Sequence, residues 1–467
     1  MLPRASESNS LPHGSKRVIV VGGGITGLSA AHALNKAGAQ VTLLEAGAQL
    51  GGKLCTVTLE TALGKAVIDG GAESFITRKP EAYQLALELG LQNELRNSGA
   101  ETKGVFLWTD NRMREVPTNP GAFFGSRLLS LSEKFRVLRE PFTPGRTDFA
   151  DESLESFLTR RLGAGAAKVF GPVMAGIYGG DPNVQSVLAS FPILRHLERE
   201  SGSLLRGMLK RKPRRDKSEK IPRAISFAGG AKVFVDALAA SLAPFVDVRL
   251  NAHVYTLIQT GNTWRVHLEN GEILESDAVI LACPANVAAT LLTRVAPDAA
   301  NVLREIRHAG IGTLALAYPR QMLERHQDLR GLMVPRHSGS AIDAVLFTGF
   351  KMPARVSEHL SAIRVFFGAN NPDLVALPEN QLLEVVRSEL RIMLNLEAAP
   401  LAHHAFRWPQ GFPMLELGHL DRVEKAERLL PHGVLLAGAS YRGLGVPDCV
   451  RQGQEAAQKA LGLPVLA

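Results

Sequence analysis

Cysteine is scarce in this chain. Only Cys55, Cys283 and Cys449 occur in 467 residues, and no two of them have the spacing of a metal site. The odd count suits a reducing compartment and excludes a disulfide-stapled secreted fold. Also missing is any apolar run long enough to span a bilayer. The first sixteen residues are polar and serine-rich, without the apolar centre of a signal peptide, and read as a disordered tail. The expected location is cytoplasmic, with a peripheral role on the inner membrane face left open. No metal-ligand cluster, Ser/His/Asp arrangement or paired-carboxylate signature is evident, so catalytic metal: none, and the catalytic side chains are unassigned.

The length allows two or three domains and a large core. The net charge is +8, and the densest basic stretch is KRKPRRDKSEK, Lys210 to Lys220. Nucleic acid is not expected there, because no aromatic residues interleave with the charges. The stretch reads as a solvated loop, or as a contact for an anionic membrane surface. Basic surface elsewhere favours an acidic small substrate.

What is plentiful is glycine, in two distant clusters. The first lies in VIVVGGGITGLSAAHALNKAGAQVTLLEAGAQLGG, residues 18–52, and the second in LLAGASYRGLGVPDCVRQG, residues 435–453. Val18 to Val21 form the apolar run of a buried parallel strand. Gly22, Gly24 and Gly27 then give G-x-G-x-x-G before a helix from about Thr26 to Ala37. Gly22 permits the tight turn, Gly24 lets the backbone approach a pyrophosphate, and Gly27 lets the helix lie on the sheet. The helix start at Ile25 and Thr26 turns free N–H groups toward the phosphates. Glu45, followed by Ala46, closes the next strand at the distance expected for a ribose diol, and its charge disfavours NADP.

That motif alone does not separate NAD from FAD; three further segments do. Leu50-Gly51-Gly52-Lys53 resembles an extended FAD signature whose usual arginine is here Lys53. Asp69-Gly70-Gly71-Ala72 is a flexible segment suited to run under a flavin ring. Gly438 and Gly443 to Asp448 open a last helix, with Pro447 in its first turn and Gly445 and Val446 at its start. That start directs positive potential at the flavin edge where charge collects on reduction. The cofactor expected is therefore FAD, held non-covalently. Cys449 beside it reads as a small buried residue.

The intervening chain divides by pattern. Residues 14–78, 222–285 and 412–463 are expected to build the FAD domain, with the backbone of Val254 near an adenine edge. Residues 79–210 read as a helical region interrupted by a hairpin, Val105 to Trp108 and Met113 to Val116 around Asp110-Asn111. Ser226 to Gly230 is read as opening a helix, and Asn270-Gly271 as a type I′ hairpin turn. Residues 286–411 alternate strands with a helix from Glu379 to Leu394, the pattern of a separate mixed sheet.

Several segments together resemble the flavin-dependent porphyrinogen oxidases, the protoporphyrinogen IX and coproporphyrinogen III oxidases of haem synthesis. They are Asp69 to Phe75, Ala175-Gly176-Ile177-Tyr178-Gly179-Gly180-Asp181-Pro182, Arg407 to Pro413, Gly418 to Arg422 and Gly445 to Arg451. The glycine motifs alone imply the broader amine-oxidase-like group. The resemblance implies an α/β fold: an amine-oxidase-like, Rossmann-type FAD domain in three segments, an inserted mixed-sheet substrate domain, and a helical region that often docks on membranes. It implies oxidation of a porphyrinogen, with molecular oxygen reduced to hydrogen peroxide. Other partners it suggests are the next haem-pathway enzyme and a second copy of the chain. Tyr178, Gly179 and Gly180 would line the substrate slot, and Arg407 would lie near the domain junction. Many members carry an arginine before the strand written here Phe106-Leu107-Trp108, where it holds a propionate. Here Gly104 and Val105 stand in its place, and Lys103 is the nearest cation.

Rival readings share the two glycine clusters. A flavin amine oxidase would need an aromatic pair at the flavin, and only Tyr441 is evident. A carotenoid desaturase and a non-catalytic escort protein for prenylated GTPases are the others; Glu45 and the intact last segment count against the escort protein. His419 reads as a satisfied surface histidine.

Overall fold

The computed structural model describes residues 15–98, 104–117, 120–176, 178–210 and 222–464. Five short strands form an all-parallel sheet in the spatial order Asp247–Arg249, Gln40–Leu44, Arg17–Val21, Ala278–Leu281, Val434–Leu436. Early, middle and late parts of the chain therefore share one sheet. Successive side chains of a strand point to opposite faces. Val18 and Val20 pack with helices Ile25–Lys36, Lys232–Leu242 and Val446–Leu461, whereas Ile19 and Val21 join a second core. That second core holds helices Ala285–Leu292 and Pro297–Arg304 and a three-stranded antiparallel sheet through Leu257, Trp264 and Val266. A sheet covered on both faces needs the continuous apolar strands seen at 18–21 and 278–281.

A seven-stranded mixed sheet stands beside it, in the order Ala402–Pro413, His308–Pro319, Leu360–Phe367, Ile342–Leu346, Leu329–Met333, Gly104–Thr109, Arg112–Glu115. Helix Glu379–Leu394 packs Leu382, Val386 and Leu390 onto one face. On the other, Ala315, Ala317 and Ala362 leave room for the hairpin Thr56–Thr61 and Gly64–Asp69. The hairpin expected within the helical region is instead the edge of this sheet, its first strand lying parallel to Leu329–Met333. An isolated hairpin is marginal in water, and this one buries Leu107 and Trp108 by joining a larger sheet. Asp110 and Asn111 both have positive φ, as a two-residue turn of primed type requires.

Two local expectations are corrected. At Asn270-Gly271 only Gly271 has positive φ, so the turn is not type I′. Gly271 N–H donates to Leu268 O and Leu268 N–H to Glu272 O, which is a type I turn closed by a glycine bulge. Ser226 and Phe227 do not open a helix. They end strand Ala224–Phe227, which pairs with Phe75–Ile76 and Leu95–Asn97, and the helix begins at Lys232.

The helical region packs Leu154–Leu162, Ala164–Gly176 and Pro192–Ser201 around Phe157, Leu158 and Leu197. Ser130 and Glu133 form a reciprocal capping box on Leu131–Leu138, and Ser153 caps Leu154–Leu162. Such caps contribute about 1 kcal/mol each. Buried Arg161 is held by Glu140 and Glu198, and Glu198 is shared with Arg160 and Arg195.

Candidate flavin and substrate site

The first glycine turn is built by close approach. A Cβ on Gly27 would lie 1.8 Å from Gly22 O, so no larger residue lets the helix meet the turn. Gly24 is the opposite case: a Cβ there would have no neighbour within 4 Å. Gly24 is also the N-cap of Ile25–Lys36, without a side-chain cap and with no acidic residue in the first turn. The N–H groups of Ile25 and Thr26 thus begin a helix whose entrance is open and uncapped, which fits a pyrophosphate. Gly51 N–H donates to Gly23 O at 2.8 Å, so the Gly51-Gly52-Lys53 turn lies directly over this entrance.

Glu45 organises both turns. Its Oε2 accepts from Gly23 N–H and its Oε1 from Gly47 N–H, each at 2.7 Å. A carboxylate offers about four lone-pair sites, so acceptors remain for a ribose diol. Exposed Ala46 follows it, and Ala252 N–H donates to Glu45 O two residues before Val254. Glu45, Ala46 and Val254 thus occupy one rim.

Lys53 is half-buried, and burial pushes its ammonium down; among the described residues it makes no ion pair. Cys449 and His308 are its charged or titratable neighbours. Gly71 lies directly on it: a Cβ there would be 2.0 Å from Lys53 O. Gly70 is packed against Cys55 and Phe406. Ala72 lines a small cavity with Leu54, Glu73, Phe75 and Val446, so segment 70–72 runs between the Lys53 turn and the start of the last helix.

That last helix, Val446–Leu461, is capped by Gly445 with no side-chain cap, and Pro447 is in its first turn. Gly438 and Gly443 have φ of +134° and +116°, conformations that favour glycine. Gln452, half a helix further on, is buried and clamps this loop. Its Oε1 accepts from Gly438 and Arg442 N–H, and its Nε2 donates to Gly443 O and Asp448 O. Sequence reasoning missed Gln452, because a lone glutamine in a helix carries no signal of its own. It also missed His308. This histidine donates from Nδ1 to Ile306 O and accepts at Nε2 from Ser440, and burial lowers it to about 4, so it is neutral.

On the substrate side, Gly179 has φ +56° and ends the Ala164–Gly176 helix region beside Phe412 and Ile311. Gly180 faces Gln185, and Tyr178 stacks edge-on against Phe191 while its hydroxyl donates to Ser190 O. Burial raises Tyr178, and the Asp448 carboxylate adds to the effect, which places the ring near the last helix start. Phe406 and Trp408 stack in parallel, 6.2 Å between centroids and 4° between planes, with Phe406 against Gly70. The structure does not bring Arg407 to them. Alternation along the strand turns it to the other face, where it donates to Leu377 O. Lys103 lies outside the described residues. Tyr441 belongs to the second glycine cluster, its N–H donating to Gly438 O, but its ring is buried in the second core; His419 is fully buried, not at the surface, donating from Nε2 to Tyr441 O.

These features define a flavoprotein of the two-domain oxidase type. The chain belongs to the flavin containing amine oxidoreductase family, whose model matches residues 25–461, and its cofactor is FAD. It is 29% identical to the coproporphyrinogen III oxidase of Bacillus subtilis (strain 168), over 96% of this chain and 98% of that one. It is also 29% identical to the chloroplastic protoporphyrinogen oxidase of Oryza sativa subsp. japonica, over 94% and 87% of the two chains. A crystal structure of a candidate protoporphyrinogen oxidase from Exiguobacterium sp. 255-15 superposes with a TM-score of 0.82 at 26% identity, covering 95% of this chain and 98% of that one.

Proposed function

We propose that this chain is an FAD-dependent porphyrinogen oxidase of haem synthesis, acting on protoporphyrinogen IX or coproporphyrinogen III. Its support is similarity over nearly the whole length to relatives named for these two substrates. At the site, the carrying observation is a glycine-edged apolar face, Gly179 against Ile311 and Phe412, joined to the flavin segments through Gly411, where a Cβ would lie 3.1 Å from Lys53 Cε. A flat macrocycle needs such a face, with few polar groups and close backbone approach.

The cofactor-binding residues in this reading are Gly22, Gly24, Ile25, Thr26, Gly27, Glu45, Ala46, Gly52, Lys53, Gly70, Gly71, Ala72, Val254, Gly438, Gly445, Val446 and Pro447. Bound FAD supplies the redox chemistry, taking hydride equivalents from the macrocycle and passing electrons to molecular oxygen as hydrogen peroxide. The protein orients the substrate: Tyr178, Gly179 and Gly180 form the slot edge, and Lys103 is the proposed propionate cation.

The helical region also carries an exposed apolar patch. Leu131, Phe135, Phe142 and Leu209 are 66–79% exposed. Arg206 lies over Phe142, and Lys210 leads into the basic stretch 211–220. The stretch 211–220 lies outside the described residues; apolar anchors with an adjacent cation such as Arg206 suit the surface of an anionic bilayer. No helix among the described residues is long and apolar enough to cross a membrane.

The experiment is anaerobic mixing with each porphyrinogen, followed by flavin absorbance. Bleaching by either one, and recovery with porphyrin fluorescence on admitting oxygen, is expected. No bleaching by either, with bleaching by a simple amine, would replace this reading with the amine oxidase one.

A further inference from the structure

The substrate sheet reaches into the flavin site through two residues whose side chains donate to backbone carbonyls. Arg364, in strand Leu360–Phe367, is 2% exposed and donates from one terminal nitrogen to Asp69 O at 2.5 Å and Gly71 O at 2.6 Å. Thr313, in strand His308–Pro319, is also 2% exposed and donates from Oγ1 to Gly70 O at 2.8 Å. Three consecutive carbonyls are thus drawn to one side by side chains from another domain. The next residue is Ala72, whose N–H has no partner among the described residues. It sits between the Lys53 turn and Val446.

The charges around this segment do not balance. Lys351 pairs with Glu73 at 2.5 Å and Arg355 with Asp69 at 2.6 Å, both inside the protein. Arg364 makes a third cation and pairs with no carboxylate among the described residues. Three positive charges against two negative leave a surplus of one. Arg364 feels the Glu73 and Asp69 carboxylates without pairing with either, its guanidinium meets carbonyl dipoles and the ring of Phe366 at 4.7 Å, and its Nε has no hydrogen-bond partner among the described residues. A cation kept out of water acts strongly at short range.

We propose that Arg364 and Thr313 are positioning residues of the flavin site. Together they fix the 69–71 carbonyls so that the Ala72 N–H is presented to the cofactor, and Arg364 adds an uncompensated positive charge that favours its reduced form. The inference rests on the flavin site described above. It makes the substrate sheet a determinant of redox potential, and not merely a wall of the substrate slot.

The test measures the FAD midpoint potential, FAD retention and thermal stability of the purified holoprotein and of four variants. Arg364→Met removes charge and hydrogen bonds, and Arg364→Lys keeps the charge alone. Thr313→Val removes one hydrogen bond at constant volume, and Thr313→Ser restores it. Arg364→Met is expected to lower the potential by at least tenfold in the reduced-to-oxidised binding ratio, about 30 mV for a two-electron couple. Thr313→Val should shift it by less, Thr313→Ser should restore it, and Arg364→Lys should retain most of it. If Arg364→Met does not fold, Thr313→Val and Arg364→Lys decide. Variants that hold FAD at the wild-type potential, with only their melting temperature lowered, would overturn the proposal. A wild-type protein that never carries flavin would overturn the flavin site with it.

Discussion

Lys79 donates to the Asp448 carboxylate at 2.6 Å, joining two residues 369 positions apart. The first follows the Asp69–Phe75 segment; the second lies in the first turn of the last helix. One ion pair thus ties the early flavin segment to the late one. Lys79 is 45% exposed at its side chain and Asp448 11%, so solvent screens the pair only in part.

Lys79→Ala is accordingly expected to weaken FAD binding by less than tenfold, about 1 kcal/mol. The fold should be retained. Flavin fluorescence released during dilution measures this; an unchanged dissociation constant would show that the pair serves only the apoprotein.

Two glycines of one motif should fail in different ways. Gly24→Asp places its side chain in open space, so the apoprotein should melt normally while FAD binding is abolished. Gly27→Ala drives a Cβ into Gly22 O, so the apoprotein itself should lose stability, by about 1–3 kcal/mol for overpacking. Absorbance at the flavin bands and apoprotein melting curves separate the two.

FAD should leave with the fold. Cys449 is buried in the last helix near Thr26, and burial raises its thiol to about 11, so it is a poor nucleophile. Denaturation followed by filtration is expected to put all yellow colour in the filtrate; colour kept on the polypeptide would refute non-covalent binding.

Acid should loosen the joint between the two sheets. Burial alone would raise Glu73, but Lys351 and Arg364 overcome it and hold the carboxyl at about 2. Its folded value lies below its ordinary value of 4.5, so the unfolded state takes up the proton first. The stability it contributes is fully present above about pH 4.5 and is lost as pH falls toward 2. Glu73→Gln should cost about 3–5 kcal/mol at neutral pH, because Lys351 is left charged and buried. It should also flatten the acid limb of a melting-temperature profile.

The apolar patch predicts binding to vesicles containing anionic lipid and weaker binding to neutral ones. The pair Phe135→Ser and Leu209→Ser should abolish sedimentation with vesicles and leave the melting temperature unchanged, since both side chains are already exposed. Equal sedimentation of wild type and variant would exclude the patch as the contact.

Much of the nucleotide fold was legible because its signals are local. Val18 to Val21, the glycine turn and Glu45 lie within thirty residues, and each element follows from period, turn chemistry and capping. What failed was non-local. The hairpin at 104–115 reads correctly as a hairpin, yet nothing in it says which sheet completes it. Strand Ala402–Pro413 contains Pro409, a residue tolerated because the strand is an edge, and the proline hides the strand from pattern reading. Arg407 was read by its neighbours in sequence, whereas the two-residue alternation of that strand sends it away from Phe406 and Trp408. Arg364 acts on backbone groups far along the chain and Gln452 on those of a neighbouring loop, and backbone partners leave no trace in residue type.

The spatial order of the parallel sheet also bears on how the protein is made. Strand Val434–Leu436 joins the sheet through Ala278–Leu281, which itself pairs with the far earlier Val18 to Val21. During translation strand Ala278–Leu281 waits with an unfinished edge, and the face carrying Val18 and Val20 stays partly uncovered, until residues 434–461 have left the ribosome. Contacts so distant in sequence form slowly and expose surface to aggregation meanwhile. Cofactor loading then reports that helix Val446–Leu461 has been made, because a chain released before it lacks the element that completes the binding site.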